Sequence, residues 1–348
     1  MPGSCAGRLM AGTVRSGLAA VVLCAVSAAS LAVQPLPERS QFASRLPDPA
    51  LTPSPDADNL PTDPQYAIAT SRDRIGRIIA AVTINGQGPF RFMLDTGASR
   101  TALAASTPVR LGLTAQLQAP ILVVGISGTA VVASVHIDSL ESGDMHFRDL
   151  DLPVLSGPVF DGIDGILGMD CFAGMKVSAN FAKDRFAISQ SRGRGAAYGY
   201  SVVPVKIISE HLLMAEGTVG GVRVKAIIDT GSSHTLGNPA LLAALTHSHY
   251  GGPKQFETAV TDATQASQLG EVARVPKVHL GAATIDGLAV TFGDFNVFNA
   301  WGLEDRPALL VGMDVLGTLD DLAIDYRRNE LQMLPRNQWH QFALAMGW

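Results

Sequence analysis

Two aspartates, Asp95 and Asp229, stand in the same local pattern, in which a run of apolar residues leads into Asp-Thr-Gly. The first run is residues 90–94 and the second is residues 224–228, and the acids are 229 − 95 = 134 positions apart. Two carboxylates held close together cannot both ionise, so they share one proton. The ionised acid can take a proton from water while the protonated acid donates to a carbonyl oxygen. The repeated pattern therefore predicts hydrolysis by water, without a covalent intermediate.

The residues next to each acid suit such a two-carboxylate site. Gly97 and Gly231 allow a sharp turn that brings backbone N–H groups to the carboxylates, where a side chain would obstruct. Thr96 and Thr230 can hydrogen-bond across to the opposite loop. We expect this brace to fix the spacing of the two acids.

The elements that must position the acids are short strands. The dipeptide Asn85-Gly86 predicts a two-residue hairpin turn, and residues 90–94 form the strand that follows it. Residues 121–126 and 130–137 predict a longer hairpin with a glycine-containing tip. Many closely spaced strands with little helix indicate an all-β protein. The segments with a helical pattern are short, at residues 101–111 and 239–245.

The repeat extends beyond the acids. Residues 166–170 read Ile-Leu-Gly-Met-Asp, and residues 310–314 read Leu-Val-Gly-Met-Asp. The sequence therefore predicts two copies of one β unit, with lobes at residues 66–190 and 200–348 and a linker at 191–199. We interpret Asp170 and Asp314 as N-terminal residues of short helices rather than as further catalytic groups.

With these motifs, the chain resembles the aspartic proteases of the pepsin and retropepsin superfamily over about residues 66–334. Both halves have Asp-Thr-Gly and the later pair of hydrophobic residues before Gly168 or Gly312, which in that family packs beneath the Asp loop. The closest resemblance is to single-chain proteins with two tandem retropepsin-like units. It implies an all-β, bilobal acid-protease fold, in which two retropepsin-like β-barrel units are related by pseudo-two-fold symmetry. It also implies a substrate-binding flap at Gly125-Ile126-Ser127-Gly128, which lacks the Tyr of pepsins.

The two loops differ at one position, Ala98 against Ser232. In pepsins a hydroxyl here bonds the outer oxygen of its Asp, and such a bond lowers the pKa of the carboxyl. The resemblance therefore predicts that Asp229 is the ionised member and that Asp95 holds the proton. We expect a mildly acidic to near-neutral pH optimum.

The N-terminus predicts export. Residues 1–34 combine Arg8 and Arg15 with an apolar run and small residues, as in a signal peptide cleaved between residues 28 and 34. The alternative is an uncleaved membrane anchor. Residues 35–65 are rich in proline and predict a flexible linker. We therefore expect a periplasmic or extracellular protein, tethered to the membrane in the alternative case.

Composition restricts the partners. Charged residues make up 16% of the chain and the net charge is −5, so no basic face is offered to nucleic acid. No cofactor or metal site is predicted, since residues 247–249 lack the spacing of metal ligands. Cys171, the one cysteine outside the first 34 residues, is predicted to be a buried, inert thiol.

Together these patterns predict an exported, monomeric aspartic endopeptidase that uses Asp95 and Asp229 to cut one or few exported proteins. The alternative is a catalytically inactive protein of the same fold that binds peptides or acts as a scaffold.

Overall fold

The computed structural model describes residues 20–23, 26–28, 65–67, 70–72 and 76–336, except 114–116, 144, 173, 182, 184, 209–211 and 248–253. Four short strands come first: β1 Ala20–Leu23, β2 Val26–Ala28, β3 Gln65–Ala67 and β4 Thr70–Arg72. The first lobe continues with β5 Ile78–Ile84, β6 Gln87–Leu94, β7 Ala102–Ala104, β8 Leu117–Gly125, β9 Thr129–Ser142, β10 Met145–Leu155, β11 Gly165–Leu167, β12 Met175–Asn180 and β13 Arg185–Gln190. It also contains helix α1 Ser106–Leu111 and 3₁₀ turns at Pro158–Phe160 and Met169–Cys171.

The second lobe repeats this order. Its strands are β14 Ser201–Ile208, β15 Leu212–Val219, β16 Val222–Ile228, β17 Leu236–Gly237, β18 Lys254–Asp262, β19 Ser267–Arg274, β20 Val278–Leu280, β21 Ala283–Ile285, β22 Ala289–Phe292, β23 Ala308–Val311, β24 Leu319–Asp325 and β25 Glu330–Pro335. Its helices are α2 Pro239–His247, α3 Asn296–Ala300 and α4 Met313–Leu316. The all-β, bilobal fold predicted from the sequence is confirmed.

Each lobe has its own sheet, and a third set of strands joins the lobes. The first sheet runs β1-β8-β9-β10-β7-β11-β6-β5-β4, and an additional pairing of β9 with β5 closes it. The second lobe contains the path β2-β18-β19-β22-β17-β23-β16-β15-β14. Beyond β14 the path continues through β25, β24, β12, β13 and β3, where β12 of the first lobe pairs with β24 of the second. This shared sheet fixes the two lobes relative to each other.

The strands that deliver the acids are central in their sheets. Strand β6 lies between β5 and β11, and β16 lies between β15 and β23. Both β11 and β23 run parallel to the acid-bearing strand and antiparallel to β7 or β17. Leu94 and Ile228, the last residues before the acids, belong to one buried apolar cluster that spans both lobes. A strand paired on both edges and buried in apolar surface holds the residue at its end firmly.

Four local predictions are confirmed. The hairpin turn between β5 and β6 has Asn85 at φ 49° and Gly86 at φ 72°, the left-handed values that a type I′ turn requires. The strand of residues 90–94 lies within β6, and residues 239–245 lie within α2. The longer hairpin is formed by β8 and β9.

One helix prediction is wrong in its first part. Residues 101–111 do not form a single helix, because Ala102–Ala104 is strand β7 and the helix α1 covers only Ser106–Leu111. All three residues of β7 are buried between β10 and β11, so strand pairing overrides the helical tendency of the alanines.

The predicted signal and linker lie mostly outside the described residues, of which they include only β1, β2 and Gln65. The boundaries of the two lobes and of the linker at 191–199 stay predictions. No helix in the described part of the chain is long and apolar enough to span a bilayer.

Candidate active site

The two Asp-Thr-Gly loops meet at the junction of the lobes. Asp95 and Asp229 are both completely buried. A Cβ atom on Gly97 would lie 2.6 Å from the Asp229 carboxylate, and one on Gly231 would overlap the Asp95 carboxylate. Each carboxyl group therefore lies against the glycine of the opposite loop, and only glycine leaves room for it.

The threonines join the loops through a symmetrical set of hydrogen bonds. The N–H of Thr96 donates to the Thr230 hydroxyl at 3.1 Å, and the N–H of Thr230 donates to the Thr96 hydroxyl at 3.0 Å. Each hydroxyl in turn donates across the junction, from Thr96 to the Ile228 carbonyl at 2.8 Å and from Thr230 to the Leu94 carbonyl at 2.9 Å. Because every donor and acceptor in this buried set is paired, the spacing of the acids is fixed by four bonds.

Backbone N–H groups orient each carboxylate. Oδ1 of Asp95 accepts from Gly97 at 2.8 Å, and Oδ1 of Asp229 accepts from Gly231 at 2.8 Å and from Ser232 at 3.2 Å. The two Oδ2 atoms are buried, and among the described residues none outside the pair donates a hydrogen bond to them. The Oδ2 atoms are therefore the ones left to share a proton and to contact a reacting molecule.

The pKa values of both acids are raised, chiefly by burial. Burial raises the pKa of Asp95 to about 6, and hydrogen bonds from Asp229, Gly97 and Ala98 and the positive charge of Arg77 limit the rise. Burial, the charge of Asp95 and the hydrogen bond between the two acids raise the pKa of Asp229 well above its usual range. The two acids titrate as a pair, because two carboxylates this close cannot both ionise.

The predicted assignment of the proton stays a prediction, but the hydroxyl contact on which it was based does not form. The Ser232 hydroxyl donates to the carbonyl of His234 at 2.7 Å and not to the carboxylate of Asp229. The difference between Ala98 and Ser232 therefore does not lower the pKa of Asp229. The sequence pattern missed Arg77, a buried residue whose charge favours the ionised form of Asp95.

The strands β11 and β23, which lead into the two Gly-Met-Asp motifs, hydrogen-bond to the acid loops. The N–H of Asp95 donates to the Leu167 carbonyl at 3.1 Å, and that of Asp229 to the Val311 carbonyl at 3.0 Å. A Cβ atom on Gly312 would lie 2.7 Å from the backbone of His234, so the strand packs directly on the loop.

Asp170 and Asp314 lie in the first turns of short helices, as predicted. Asp170 lies in the 3₁₀ turn and Asp314 in α4, but neither makes a side-chain cap, because the cap positions are glycines. Their carboxylates instead accept hydrogen bonds from the hydroxyl groups of Thr101 at 2.9 Å and Thr235 at 2.7 Å. These bonds tie the Gly-Met-Asp turn to the residues that follow each acid loop.

The predicted flap residues form the tip of the β8–β9 hairpin. Ile126 is completely buried and packs in an apolar cluster of the second lobe with Ile227 and Phe295. The side-chain amide of Asn296, in α3, donates to the carbonyls of Gly125 at 3.1 Å and Gly128 at 3.2 Å. The first flap is therefore fastened to the opposite lobe.

A second flap, the β18–β19 hairpin, was missed by the sequence interpretation. Its tip residue Ala263 is buried in an apolar cluster of the first lobe with Ala98 and Val159. The hairpin follows α2 as the first flap follows α1, so the internal repeat could have revealed it.

The tips of the two flaps are joined through Asp262. Its carboxylate is buried and accepts the N–H of Ser127 at 2.6 Å and the hydroxyl of Thr264 at 2.6 Å. A Cβ atom on Gly125 would overlap this carboxylate. Burial raises the pKa of Asp262, although the hydrogen bonds to Thr264, Ser127 and Gly128 oppose the rise. We call this contact the flap latch.

Two other predicted features lie outside the site. Cys171 is buried, as predicted, and burial raises the pKa of its thiol well above the usual range, which keeps it unreactive. Of residues 247–249, only His247 is described, and its ring lies against the Ala243 carbonyl in α2.

Two β lobes that meet at a braced pair of Asp-Thr-Gly loops define the class of bilobal acid-protease folds. A family model described as aspartyl protease matches residues 80–171 and 215–315, which together are more than half of the chain. The chain therefore belongs to the aspartyl protease family, as a tandem duplication of a retropepsin-like unit. A search of curated proteins found no match to the chain.

Proposed function

We propose that this protein is an aspartic endopeptidase in which Asp95 and Asp229 form the catalytic pair. The observation that carries the proposal is the geometry of the two carboxyl groups. Each is buried, lies against the glycine of the opposite loop, and keeps one oxygen without a bond to any other described residue. Membership of the aspartyl protease family supports a peptidase reaction.

One acid of the pair is ionised and the other holds the shared proton, and we assign the ionised role to Asp95 because the charge of Arg77 favours it there. Asp95 takes a proton from a water molecule, whose oxygen attacks the carbonyl carbon of the peptide bond. Asp229 donates its proton to the carbonyl oxygen and so neutralises the charge that develops there. The proton gained by Asp95 then passes to the amide nitrogen as the C–N bond breaks. Asp229 recovers its proton from the hydroxyl group, and the pair returns to its starting state.

The flaps support a peptide as the substrate. The tip of each hairpin packs on the opposite lobe, and the outer strands β8 and β18 each pair with a short added strand, β1 or β2, so these edges can hold an extended chain. We propose that the substrates are one or few exported proteins. Because both acids lie on one chain, a monomer is sufficient for activity.

The test compares the protein with its Asp95→Asn and Asp229→Asn variants on an unfolded protein substrate, with fragments measured by intact mass. Asp286→Asn, at an exposed acid, is the matched control. We expect cleavage by the unaltered protein and the control, and none by the two pair variants. Equal cleavage by all four would show that the pair is not catalytic.

A protein that cuts only one or few substrates could leave a generic substrate intact. A statine-type inhibitor, whose hydroxyl imitates the tetrahedral intermediate, separates this case from an inert site. We expect it to raise the melting temperature of the unaltered protein and to lose this effect in the Asp95→Asn variant. If it raises neither, the alternative of an inactive peptide-binding or scaffolding protein is favoured.

A further inference from the structure

The flap latch buries a carboxyl group among uncharged partners. Asp262 is fully buried, and its Oδ2 accepts the N–H of Ser127, in the opposite flap, at 2.6 Å. Its Oδ1 accepts the N–H of Thr264 at 2.8 Å and lies 2.6 Å from the Thr264 hydroxyl. The N–H of Gly128 also bonds this carboxyl group. In the described part of the chain, every hydrogen-bond partner of the Asp262 side chain is therefore neutral.

The elements packed around the latch supply no cation that bonds it. The first flap at residues 121–135, β2 and α3 contain no acidic or basic residue. The charged residues of the other neighbouring elements, the latch's own hairpin and the loop at residues 156–164, are Lys254, Glu257, Glu271, Arg274, Asp161 and Asp164. Glu257 is five positions from Asp262, or roughly 16 Å along a strand, and Lys254 and Arg274 lie still farther from the tip. Arg77, the buried cation next to the 156–164 loop, donates to the Val159 carbonyl and acts on Asp95.

The latch can take up a proton without losing its bond to the opposite flap. When Asp262 is protonated, Oδ1 can donate to the Thr264 hydroxyl while Oδ2 still accepts the Ser127 N–H. When Asp262 is ionised, the closed flaps bury a charge that no cation bonds, and opening the flaps returns this charge to water.

The sign of the pH dependence follows from this difference. Burial raises the pKa of Asp262 in the closed flaps, although hydrogen bonds from Thr264, Ser127 and Gly128 oppose the rise. A carboxyl group whose pKa is raised in one state stabilises that state at low pH, and this stabilisation is lost as the pH rises through the raised value. The latch is therefore firm in acid and weakens towards neutral pH.

We propose that Asp262 links flap closure to a proton: protonated Asp262 keeps the two flaps latched, and its ionisation as the pH rises releases them and opens the cleft to a peptide. The entry of a peptide rests on the proposed function, whereas the latch itself does not. The device needs two different flaps, because the position equivalent to Asp262 in the first flap is Gly125, where a Cβ atom would overlap the carboxylate. The bonds from Asn296 to the first flap do not titrate and are common to both pH ranges.

The first test measures hydrogen exchange at the flap tips in the full chain carrying Asp95→Asn, so that no hydrolysis is needed and one titrating acid is removed. Protection is compared at about pH 5 and about pH 7.5, after correction for the intrinsic effect of pH on exchange. We expect protection at residues 125–128 and 262–266 to fall roughly threefold to tenfold as the pH rises, beyond any change in β6 and β16. Adding Asp262→Asn, which cannot ionise, should remove this dependence. Adding Asp286→Asn, at an exposed acid, should leave it unchanged.

A second variant reports on the partner of the latch. Thr264→Val keeps the shape of the side chain and removes the hydroxyl, whose hydrogen bond lowers the pKa of Asp262. We therefore expect the loss of flap protection to move to higher pH in this variant. A loss that stays at the same pH, or moves to lower pH, contradicts the proposal even if Asp262→Asn does not fold.

The second test measures how fast the statine-type inhibitor associates with the full chain that has an intact Asp95 and Asp229. Because this pair titrates in every variant, the rate for the unaltered chain is divided by the rate for Asp262→Asn at each pH. We expect this ratio to rise roughly threefold or more between about pH 5 and about pH 7.5.

The outcomes separate the latch from the proposed function. Flap protection that is constant or rises with pH, or that falls equally in Asp262→Asn, overturns the proposal whether or not the protein hydrolyses peptides. The expected exchange with a constant ratio of association rates shows that the latch does not control entry, and this also overturns it. The expected exchange with an inhibitor that never binds supports the proton-linked latch and counts against the proposed function alone.

Discussion

Replacing Asp95 by Asn should stabilise the fold at neutral pH. Burial raises the pKa of Asp95 from 3.8 to about 6. A group whose pKa is raised in the folded state contributes its full stability below the unfolded value and loses it as the pH rises through the folded value. The loss for a shift of roughly two units is ~3 kcal/mol. Asn has a similar shape and does not titrate, so the variant should avoid this loss.

The assay is urea unfolding of the unaltered protein and the Asp95→Asn variant. At about pH 8 the variant should be more stable by up to ~3 kcal/mol, and near pH 3.5 the difference should close, because the carboxyl is then protonated in both states. Asp286→Asn, at a side chain that is 68% exposed, should show no comparable pH-dependent gain. A variant that is less stable at about pH 8, or a gain that does not depend on pH, would refute the reasoning.

Three further substitutions test the loops and the flaps. Gly97→Ala places a Cβ atom 2.6 Å from the opposite carboxylate and should abolish cleavage, whereas Gly195→Ala, with open space around it, should retain full activity. Thr96→Val removes one donor and one acceptor from the buried brace and should cost about 2–4 kcal/mol in urea unfolding, and Thr96→Ser should restore most of it. Asp262→Ala removes the acceptor for the Ser127 N–H and should accelerate hydrogen exchange at the first flap, whereas Asp262→Asn, which keeps an acceptor oxygen, should do so less. Equal exchange in both Asp262 variants would contradict the flap latch.

The sequence was sufficient for the fold because its strongest signals are local and occur twice. An apolar run before Asp-Thr-Gly specifies a buried strand and a tight turn, and duplication removes the ambiguity of a single copy. The helix predicted at residues 101–111 failed because burial between β10 and β11, which local propensity does not contain, makes Ala102–Ala104 a strand. The flap latch was missed for a similar reason, since Asp262 gains its partner Ser127 only when the two hairpins meet.

The proton assignment used only the residue next to each acid, and the Ser232 hydroxyl bonds the His234 carbonyl and not the Asp229 carboxylate. It left out the charge of Arg77, which stands just before β5 and lowers the pKa of Asp95. Strand pairing identifies the equivalent positions: Ile79 lies opposite Met93, two residues before the first acid, and Met214 lies opposite Ile227, two residues before the second.

Ile79 and Met214 are therefore equivalent, and two positions earlier Arg77 corresponds to Leu212. Both side chains are buried, but only one is charged. In a homodimer with one acid from each subunit, the same residue would flank both acids. A single chain that encodes both lobes can place a cation near Asp95 alone, and this difference favours one fixed position for the shared proton before any substrate binds.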